Sequence, residues 1–415
     1  MQRIALYSQD THGLGRMRRN IAIARTLAAD EPRAILLISG AGEAAMLGLP
    51  EGADTLGLPA LEDAGHPGAR CLGIGTDALV RLRSEALRSA LAAFRPDVLI
   101  VDRLPGGVGG ELRASFEALH RMGTKIVLGL PDVLGDHERV WADWHISDSI
   151  DLVRRHYDRI WVYGDPNVFD PVVEHGLPRD LRRMTRYTGY LDGSRADPLA
   201  TTRAATIRSE HGLGDGPVHV CLAGGGEHGA RLAGTFARTP LPRGSTGVVL
   251  TGPFMAPERV AQLDAVARRR DDLRVVRVLP GADTLIWMAD RIVAMGGYHT
   301  TSEALAAGRR PLMVPSTHGR PDQRIRADRL ENLGAADVLP AAELDPTALH
   351  DWIAADAHPP APLAGVIDTD GLSRLPMLLD ELGTPVEVPR RGLTDRRVGG
   401  RRVALAPELA VSAAG

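Results

Sequence analysis

Short apolar runs that alternate with stretches of helical spacing constrain the fold of this chain more than any other feature. In the first half, the apolar runs have the length of buried strands: residues 4–7, 34–38, 95–102, 125–128 and 159–162. The stretches with helical spacing between them are residues 20–29, 78–94 and 111–121. The second half restarts the alternation with "VHVCLA", "GVVLTG", "RVVRVL", "RIVAMGG" and "RPLMVP". Such βαβ alternation predicts parallel sheets covered on both faces by helices, here in two α/β domains of similar design.

A polar, irregular segment separates the two halves and sets the predicted domain boundaries. A chain of 415 residues is long for one hydrophobic core, which favours two domains. We predict an N-terminal domain at residues 1–195, a linker at 196–215, a C-terminal domain at 216–365, a terminal helix at 366–384 and a disordered tail at 385–415. The tail is rich in arginine, glycine and small residues, which cannot build a packed core.

Composition excludes several classes of protein. A formal net charge of −3 and an aromatic content of 4% argue against a dedicated nucleic-acid binder. The only cysteines, Cys71 and Cys221, lie far apart, so neither a disulfide framework nor a thiolate metal site is expected. No apolar segment approaches the roughly 20 residues of a membrane span. The first residues, "MQRIALYSQD", enter a strand without the features of a signal peptide. We therefore expect a soluble cytoplasmic protein.

The stretch "VAMGGYHTTSEALAAGRRPLMVP" joins a buried strand to a helix through two glycines. Gly296 and Gly297 allow a tight turn and a close approach to the backbone. We predict that the helix begins at residue 302, which places Glu303 in its first turn. A helix N-terminus favours anions, whereas a carboxylate there repels them. Glu303 is therefore expected to bind hydroxyl groups beside a phosphate, such as those of a ribose.

Two further loops of the second half follow predicted strands. "AGGGEHG" contains Gly224, Gly225 and Gly226, which can wrap a diphosphate, although the loop lacks the P-loop pattern of an ATPase. "PSTHGRPDQRIRADRL" places Asp322 and Gln323 at a helix start. An acid beside an amide suits the recognition of neighbouring sugar hydroxyls, and an ordinary pair of helix-capping residues is an equally acceptable interpretation.

The first half offers a candidate general base directly after its first strand. In "SQDTHGLGRMRRN", Asp10 and His12 are titratable, and Gly13 and Gly15 permit close backbone approach. A turn followed by a solvated basic helix start is the alternative.

Two other loops of the first half follow strands. Asp102 and Arg103 end the strand before "LPGGVGG", where function and capping are equally supported. In "LGLPDVLGDHERVWADWH", Asp132, with Asp136, His137 and Trp144, can line an acceptor pocket; a surface loop with a packed tryptophan is the favoured alternative.

The sequence lacks the patterns typical of metal binding and of hydrolysis by a nucleophilic serine. The loop histidines His228, His299 and His318 have no H-x-x-x-H or cysteine context, so no metal site is expected. Ser302 lacks the G-x-S-x-G context of a hydrolase nucleophile.

Taken in order, these loops resemble those of the GT-B glycosyltransferases. "GGYHTTSEALAAGRRPLMVP…DQ" is similar to the donor-site signature of the branch that contains the undecaprenyl-muramyl-pentapeptide N-acetylglucosaminyltransferase. "LGLPDVLGDHERVWADW…YDRIWVYGDPNVFDP" resembles a bacterial group of predicted glycosyltransferases. The resemblance covers most of residues 1–383 and is more specific in the second half.

This resemblance implies an α/β GT-B fold, in which two Rossmann-like domains face each other across a cleft and the terminal helix returns to the first domain. It implies that the donor-binding residues lie in the second half: Gly224, Gly225, Gly226, Gly296, Gly297, Tyr298, His299, Thr300, Thr301, Ser302, Glu303, Asp322 and Gln323. Glu303 would hold the ribose, and the helix starting near Thr301 would face the diphosphate. The acceptor side would comprise Gly13, Gly15, Asp102, Arg103 and Asp132.

One residue departs from the family pattern. Alignment on "NIAIARTLA" puts Arg16 where many relatives carry a histidine that is the proposed catalytic base. Arginine stays protonated and is a poor base. Either His12 or Asp10 has taken that role, or the acceptor needs no strong base, or the protein is not a transferase. Arg16 is then free to neutralise phosphate charge or to hold an anionic acceptor.

The resemblance therefore implies an inverting glycosyltransferase that uses a nucleoside-diphosphate sugar as co-substrate, with UDP as the default nucleotide. The acceptor is expected to be a small molecule, and no cofactor or metal is expected to be obligatory. A nucleotide-sugar epimerase or hydrolase, and a non-catalytic nucleotide-sugar-binding helper protein, are the alternatives.

Overall fold

The computed structural model describes residues 1–9, 15–40, 48–61, 69, 71–146, 148–191, 200–224, 229–279, 281–316, 320–356 and 365–383. Within these residues, none of the helices combines the length and apolar character that a membrane span requires.

The N-terminal sheet, as far as these ranges describe it, contains seven parallel strands: β1 (Gln2–Ser8), β2 (Arg33–Ser39), β3 (Ala53–Gly57), β4 (Val98–Asp102), β5 (Lys125–Pro131), β6 (Arg159–Tyr163) and β7 (Thr185–Tyr187). Their spatial order is β3-β2-β1-β4-β5-β6-β7. The chain therefore builds outward from β1 in one direction and then, from β4, in the other. Ligands of open α/β sheets bind at such a switch point, beyond the carboxyl ends of the strands.

The α-helices described around this sheet are α1 (Gly15–Asp30), α2 (Thr76–Phe94), α3 (Arg113–Arg121), α4 (His137–Ile146), α5 (Ser149–His156), α6 (Pro171–Glu174) and α7 (Arg179–Met184). The central strands β1, β4, β5 and β6 are buried on both faces along most of their length, whereas the edge strand β3 is partly exposed. Apolar side chains of β1, β4 and β5 belong alternately to two core clusters. This double burial explains why the strands appear in the sequence as nearly continuous apolar runs.

The C-terminal sheet, within the described part of the chain, contains six parallel strands: β8 (Val218–Leu222), β9 (Thr246–Leu250), β10 (Leu273–Val276), β11 (Arg291–Ala294), β12 (Leu312–Met313) and β13 (Asp337–Val338). Their order is β10-β9-β8-β11-β12-β13, so the switch point lies between β8 and β11. The glycine loop that starts at Gly224 follows β8, and the one that contains Gly296 follows β11. Both predicted donor loops thus leave the sheet at its switch point.

The α-helices described in the second half are α8 (Ala200–His211), α9 (Ala230–Arg238), α10 (Pro257–Ala267), α11 (Ala282–Met288), α12 (Tyr298–Ala306), α13 (Pro321–Asn332), α14 (Pro346–Ala354) and α15 (Leu375–Asp380). Helix α8 lies within the range predicted as linker. Helix α15 packs on α1, and Leu375, Leu378 and Leu379 are buried in a core cluster that also contains Met17 and Ile21. The last described helix therefore contacts the N-terminal half.

One predicted helix start was wrong. Helix α12 begins at Tyr298, with Gly297 as its N-cap, rather than at residue 302, so Glu303 lies in the second turn and not in the first. The run Tyr-His-Thr-Thr has low helix propensity, so an interpretation from local preference places the start too late. Helix α15 begins at Leu375 and has Pro376 in its first turn, where proline is well tolerated.

Both halves share one core cluster at their contact. It joins side chains of β1 and α1 to Tyr298, Leu305 and Ala327 of the C-terminal half. Helices α1 and α12 pack against each other within this contact. The elements that carry the predicted donor and acceptor residues are therefore held together by apolar packing as well as by charge.

Candidate functional site

The ends of the two sheets approach each other at their switch points. A guanidinium nitrogen of Arg18, in the first turn of α1, lies 2.6 Å from a carboxylate oxygen of Glu303 in α12. A Cβ atom built on Gly15 would lie 3.6 Å from the Cβ atom of His299, which is ordinary contact. The candidate site is therefore the cleft between the start of α1 and the start of α12.

Two adjacent glycines shape the loop before α12 in different ways. Gly296 has a φ of +79°, and an added Cβ would lie 3.3 Å from the carbonyl oxygen of Gln323. A side chain at Gly296 would therefore be strained by both its backbone and its neighbour. Gly297 is extended, with φ −65° and ψ 145°, and apart from its chain neighbours no described residue lies within 4 Å of a Cβ placed there. The backbone is therefore open at the Cβ position of Gly297, directly before the helix start.

Glu303 is a buried carboxylate whose two oxygens differ in hydrogen bonding. Its side chain is 5% exposed, and its Oε1 accepts from Arg18 and lies 3.0 Å from Nε2 of His299. Its Oε2 is buried and has no hydrogen-bond partner among the described residues. Burial would raise the pKa of Glu303, but Arg18 and His299 outweigh that effect and hold the pKa below its ordinary value. An ionised oxygen is therefore available to accept hydrogen bonds from hydroxyl groups.

The neighbours of Glu303 in α12 divide into two groups. Thr301 Oγ1 and His299 Nδ1 are buried without a hydrogen-bond partner in the described part of the chain. Ser302 instead donates to the carbonyl oxygen of Leu191 at 2.7 Å, and the Tyr298 hydroxyl accepts from the Leu191 N–H at 3.4 Å. The first group lines the site, and the second fastens α12 to the segment after β7. Thr300 is half-buried on the same helix.

Two of the other predicted donor residues lie at the start of α13. The side-chain oxygen of Gln323 accepts from the Ser316 N–H at 3.0 Å and so ties down the preceding loop. The Asp322 carboxylate lies 3.6 Å from Arg320 Nε. Gly224 has a φ of +73°, as expected of a tight glycine turn, whereas Gly225 and Gly226 lie outside the described residues.

On the N-terminal side, arginines surround the end of β4. Arg19 donates to Asp102 Oδ1 at 2.5 Å, and Arg16 Nε lies 3.7 Å from Asp102 Oδ2. Arg103 has a φ of +65° and donates to the carbonyl oxygen of Leu134 at 3.0 Å. Burial, with Arg16 as the next cause, lowers the pKa of Arg103. Asp102 is thus an ion-pair partner, and the cleft wall around it is positive.

Of the remaining residues predicted on the N-terminal side, the structure describes only Asp132. Asp10, His12 and Gly13 lie outside the described residues. Asp132 is fully buried, and both of its oxygens are engaged by Arg326 and Tyr190. In this conformation a ligand cannot reach Asp132.

Sequence reasoning missed three arginines that hold this region together: Arg18, Arg19 and Arg326. The run "GRMRRN" suggests a solvated basic helix start, yet Arg19 is buried with its guanidinium 5.1 Å from the ring centres of both Tyr163 and Tyr298. For Arg326 the available signal was spacing, because it stands four residues after Asp322 and so shares its face of the helix.

Two Rossmann-like domains with facing switch points define the GT-B fold, and comparisons with known proteins agree. No family model matches the sequence. A UDP-N-acetylglucosamine–N-acetylmuramyl-(pentapeptide) pyrophosphoryl-undecaprenol N-acetylglucosamine transferase of Acidothermus cellulolyticus is 28% identical over 182 residues, or 39% of this chain and 49% of the relative. The chain thus matches about half the length of that relative.

Solved structures extend the likeness to nearly the whole chain. The glycosyltransferase of kitacinnamycin superposes with a TM-score of 0.56 at 16% identity, over 92% of this chain and 99% of the other. A UDP-GlcNAc 2-epimerase from Methanocaldococcus jannaschii gives a TM-score of 0.56 at 10% identity, over 91% and 99% of the two chains. At such identities the likeness establishes the GT-B fold alone, and this fold is common to a transferase and an epimerase.

Proposed function

We propose that this protein is a glycosyltransferase that moves a sugar from a nucleoside-diphosphate sugar, with UDP as the nucleotide, to a small-molecule acceptor. The relative from Acidothermus cellulolyticus, named as an N-acetylglucosamine transferase that uses the UDP-linked sugar, supports both the reaction class and the nucleotide. The fold supplies the two-domain cleft in which such a reaction takes place.

The Oε2 atom of Glu303, which has no hydrogen-bond partner in the part of the chain that the structure describes, is the observation that carries this proposal. A buried oxygen without a hydrogen bond is costly, and the cost is larger for a charged group. Its position after Gly296 and Gly297, at the sheet's switch point, is where a nucleotide lies in related α/β folds. A ribose diol would satisfy this oxygen, and the neighbouring Thr301 hydroxyl can join the same network.

The diphosphate is assigned to the open space before α12. The first N–H groups of this helix lie beyond Gly297, and the helix dipole favours an anion there. Because Glu303 lies in the second turn, its charge is farther from that point than a first-turn carboxylate would be. Arg16 and Arg103 lie on the opposite, N-terminal wall and can neutralise negative charge on the leaving group or on the acceptor.

Transfer would proceed with inversion. The acceptor oxygen attacks the anomeric carbon from the face opposite the diphosphate, while the bond from that carbon to the diphosphate oxygen breaks and its electron pair leaves with the nucleotide. We assign His12 or Asp10 to accept the acceptor's proton. Preorganised N–H groups and Arg16 would stabilise the charge that develops on the leaving diphosphate.

An epimerase is the second candidate, because a UDP-GlcNAc 2-epimerase superposes on the chain as well as a transferase does. A hydrolase and a non-catalytic binding protein are the remaining alternatives. An epimerase or hydrolase would change the donor in the absence of any acceptor, whereas a binding protein would leave the donor unchanged with every acceptor. Incubation of the protein with UDP-N-acetylglucosamine alone, followed by chromatography of the sugar nucleotide, separates these reactions from transfer.

The donor site is tested by calorimetric titration with UDP, TDP and GDP. We expect one nucleotide to bind, and we expect Glu303→Ala to weaken its binding about 100-fold, because two hydrogen bonds to a charged oxygen pair are lost at about 1.5 kcal/mol each. Glu303→Gln, which keeps an acceptor oxygen, should fall between the two. Glu331→Ala, an exposed glutamate on α13, is the matched control and should bind as the unaltered protein does. Binding of none of the three nucleotides would contradict the proposal.

A further inference from the structure

We propose that Arg326 is a positioning residue for the donor loop, and that Asp132 of the N-terminal domain orients it. This inference rests on the proposed function, because the loop is a donor loop only if the protein binds a nucleotide-sugar donor. It concerns a side chain that touches neither of the predicted ligand-binding carboxylate oxygens of Glu303 but holds the backbone that leads to them. Arg326 donates hydrogen bonds on both sides of the contact between the domains.

On the C-terminal side, Arg326 holds the peptide that precedes α12. Its Nη1 donates to the carbonyl oxygen of Gly296 at 2.7 Å. In a trans peptide the next N–H, that of Gly297, is coplanar with this carbonyl and points the opposite way. Fixing the Gly296 carbonyl therefore also fixes the direction of the N–H at the N-cap of α12. That N–H therefore faces away from Arg326.

On the N-terminal side, Asp132 receives the rest of the guanidinium. Arg326 Nη2 donates to Asp132 Oδ1 at 2.6 Å, and Nε donates to Oδ2 at 2.8 Å. Asp132 is held in turn by the Tyr190 hydroxyl at 2.8 Å and by the Val133 N–H at 2.7 Å. A bidentate pair of this kind fixes the plane of the guanidinium, which an ammonium group cannot reproduce.

Because the Arg326–Asp132 pair is buried, it is costly to break, and the guanidinium keeps one orientation. Neither side chain of the pair is exposed to solvent. Burial would lower the pKa of Arg326, but Asp132 outweighs that effect and raises it, so the guanidinium stays charged. A buried charge that loses its partner is strongly unfavourable, so Arg326 has one stable orientation as long as Asp132 is docked. Asp132 thereby links the docking of the domains to the geometry of the donor loop.

The test measures the loop directly, in the absence of ligand, by hydrogen–deuterium exchange of the full chain. The informative amides are those of the first turn of α12, such as the Thr301 N–H that donates to the Gly297 carbonyl at 3.0 Å. We expect exchange of a peptide covering residues 295–305 to be at least about tenfold faster in Arg326→Met. Arg326→Lys, which keeps a charge and one donor, should give an intermediate rate. Arg329→Met, on the same helix but with an exposed ion pair, is the matched control and should exchange like the unaltered protein.

Asp132→Asn separates the two halves of the inference. It lies in the other domain and leaves the bond from Arg326 to Gly296 chemically possible, so faster exchange at residues 295–305 in this variant supports the link between the domains. Unchanged exchange in Asp132→Asn would overturn that link. Unchanged exchange in a folded Arg326→Met would overturn the positioning role. If Arg326→Met does not fold, Arg326→Lys decides the same question, since unchanged exchange there overturns the role as well.

A calorimetric titration of the same variants with UDP, TDP and GDP connects the loop to ligand binding. A misplaced loop raises the dissociation constant, whereas partial unfolding lowers the apparent stoichiometry, so the two effects are distinguishable. We expect about tenfold weaker binding in Arg326→Met at an unchanged stoichiometry. Equal binding in the two proteins would overturn the role in donor binding. Faster exchange combined with no nucleotide binding by the unaltered protein would instead overturn the proposed function and leave the positioning of the loop supported.

Discussion

Two ion pairs cross the contact between the domains close to the same glycine loop, and they differ in how fully they are satisfied. Arg326 and Asp132 have no exposed side-chain surface, and each oxygen of Asp132 accepts at least two hydrogen bonds. Arg18 is 23% exposed, and its partner Glu303 keeps one buried oxygen without a hydrogen bond among the described residues. The first pair is complete within the protein, whereas the second leaves one carboxylate oxygen without a hydrogen-bond partner in the described part of the chain.

On this difference rest the positioning role that we propose for the first pair and the binding role that we propose for the second. A saturated buried pair holds its surroundings in one arrangement, and any change to it leaves an unpaired charge. A half-satisfied carboxylate is costly until something else completes it, which is how a binding site is arranged. A third pair, Arg329 with Glu174, crosses the same contact at 45% and 38% exposure and provides the solvated reference.

Breaking the buried pair should have the largest effect on stability. We expect Arg326→Met to lower the free energy of unfolding by about 3–5 kcal/mol, because Asp132 is left buried and unpaired. Asp132→Leu combined with Arg326→Met should be less destabilised than either single variant, since no lone charge remains. Urea unfolding of the three variants measures these values. Additive losses in the double variant would show that the pair does not act as a unit.

A buried histidine without a hydrogen-bond partner in the described structure makes the stability of the protein depend on pH. His175, next to Glu174, is buried, and neither ring nitrogen has a hydrogen-bond partner in the described structure. Burial, and then His137, lowers its pKa to about 4. The unfolded chain takes up this proton near pH 6.5, so the stability contributed by neutral His175 is complete above that pH and falls as the pH is lowered toward 4.

We expect this loss to reach on the order of 2–3 kcal/mol at pH 4 and to be absent in His175→Phe. Urea unfolding of both proteins between pH 7 and pH 4 measures it. Groups common to the two proteins cancel in the difference between their curves. A flat difference curve would mean that His175 takes up its proton equally in the folded and unfolded states.

Freeing Glu303 should produce a smaller effect, and one seen in binding. Arg18 donates a hydrogen bond to Oε1 of Glu303. If a ribose diol takes both oxygens, Arg18→Met removes a competitor, and uridine should bind up to about tenfold more tightly, or about 1.4 kcal/mol. Calorimetric titration with uridine, which carries no phosphate, isolates this effect. Weaker binding would show that Arg18 stays beside Glu303 in the bound state and supports the carboxylate there.

Removing the exposed pair should have the smallest effect. We expect Arg329→Met to change the free energy of unfolding by no more than about 0.5 kcal/mol, because solvent screens the pair. The same urea experiment, repeated at low and high salt, measures it. A loss comparable to that of Arg326→Met would contradict the view that burial, rather than position on α13, sets the cost.

Much of the architecture was predictable from the sequence, because it follows from local patterns. Parallel strands buried on both faces appear as apolar runs, so ten of the thirteen described strands and the two-domain α/β plan were recognised, and the GT-B prediction was confirmed. The three strands that were missed, β3, β7 and β13, lie at sheet edges and are partly exposed, so they carry no apolar run. Gly296 was recognised because a φ of +79° favours glycine. The start of α12 was misplaced because threonine, tyrosine and histidine are weak helix formers whose conformation is set by tertiary packing. The roles of the donor and acceptor residues stay predictions.

The sequence by itself determined which residues stand at the carboxyl ends of the strands, and therefore that Glu303, Asp102 and Asp322 lie at the cleft. Only the tertiary structure decided which charges pair there. Asp132 and Arg326 are separated by 194 positions in the chain, and Arg18 and Glu303 by 285. No local periodicity encodes such partners, because they meet only when two independently patterned domains dock. Docking also determines burial: it leaves neither side chain of the Asp132–Arg326 pair exposed, whereas Arg18 stays 23% exposed beside Glu303, so the two pairs differ in what it costs to break them.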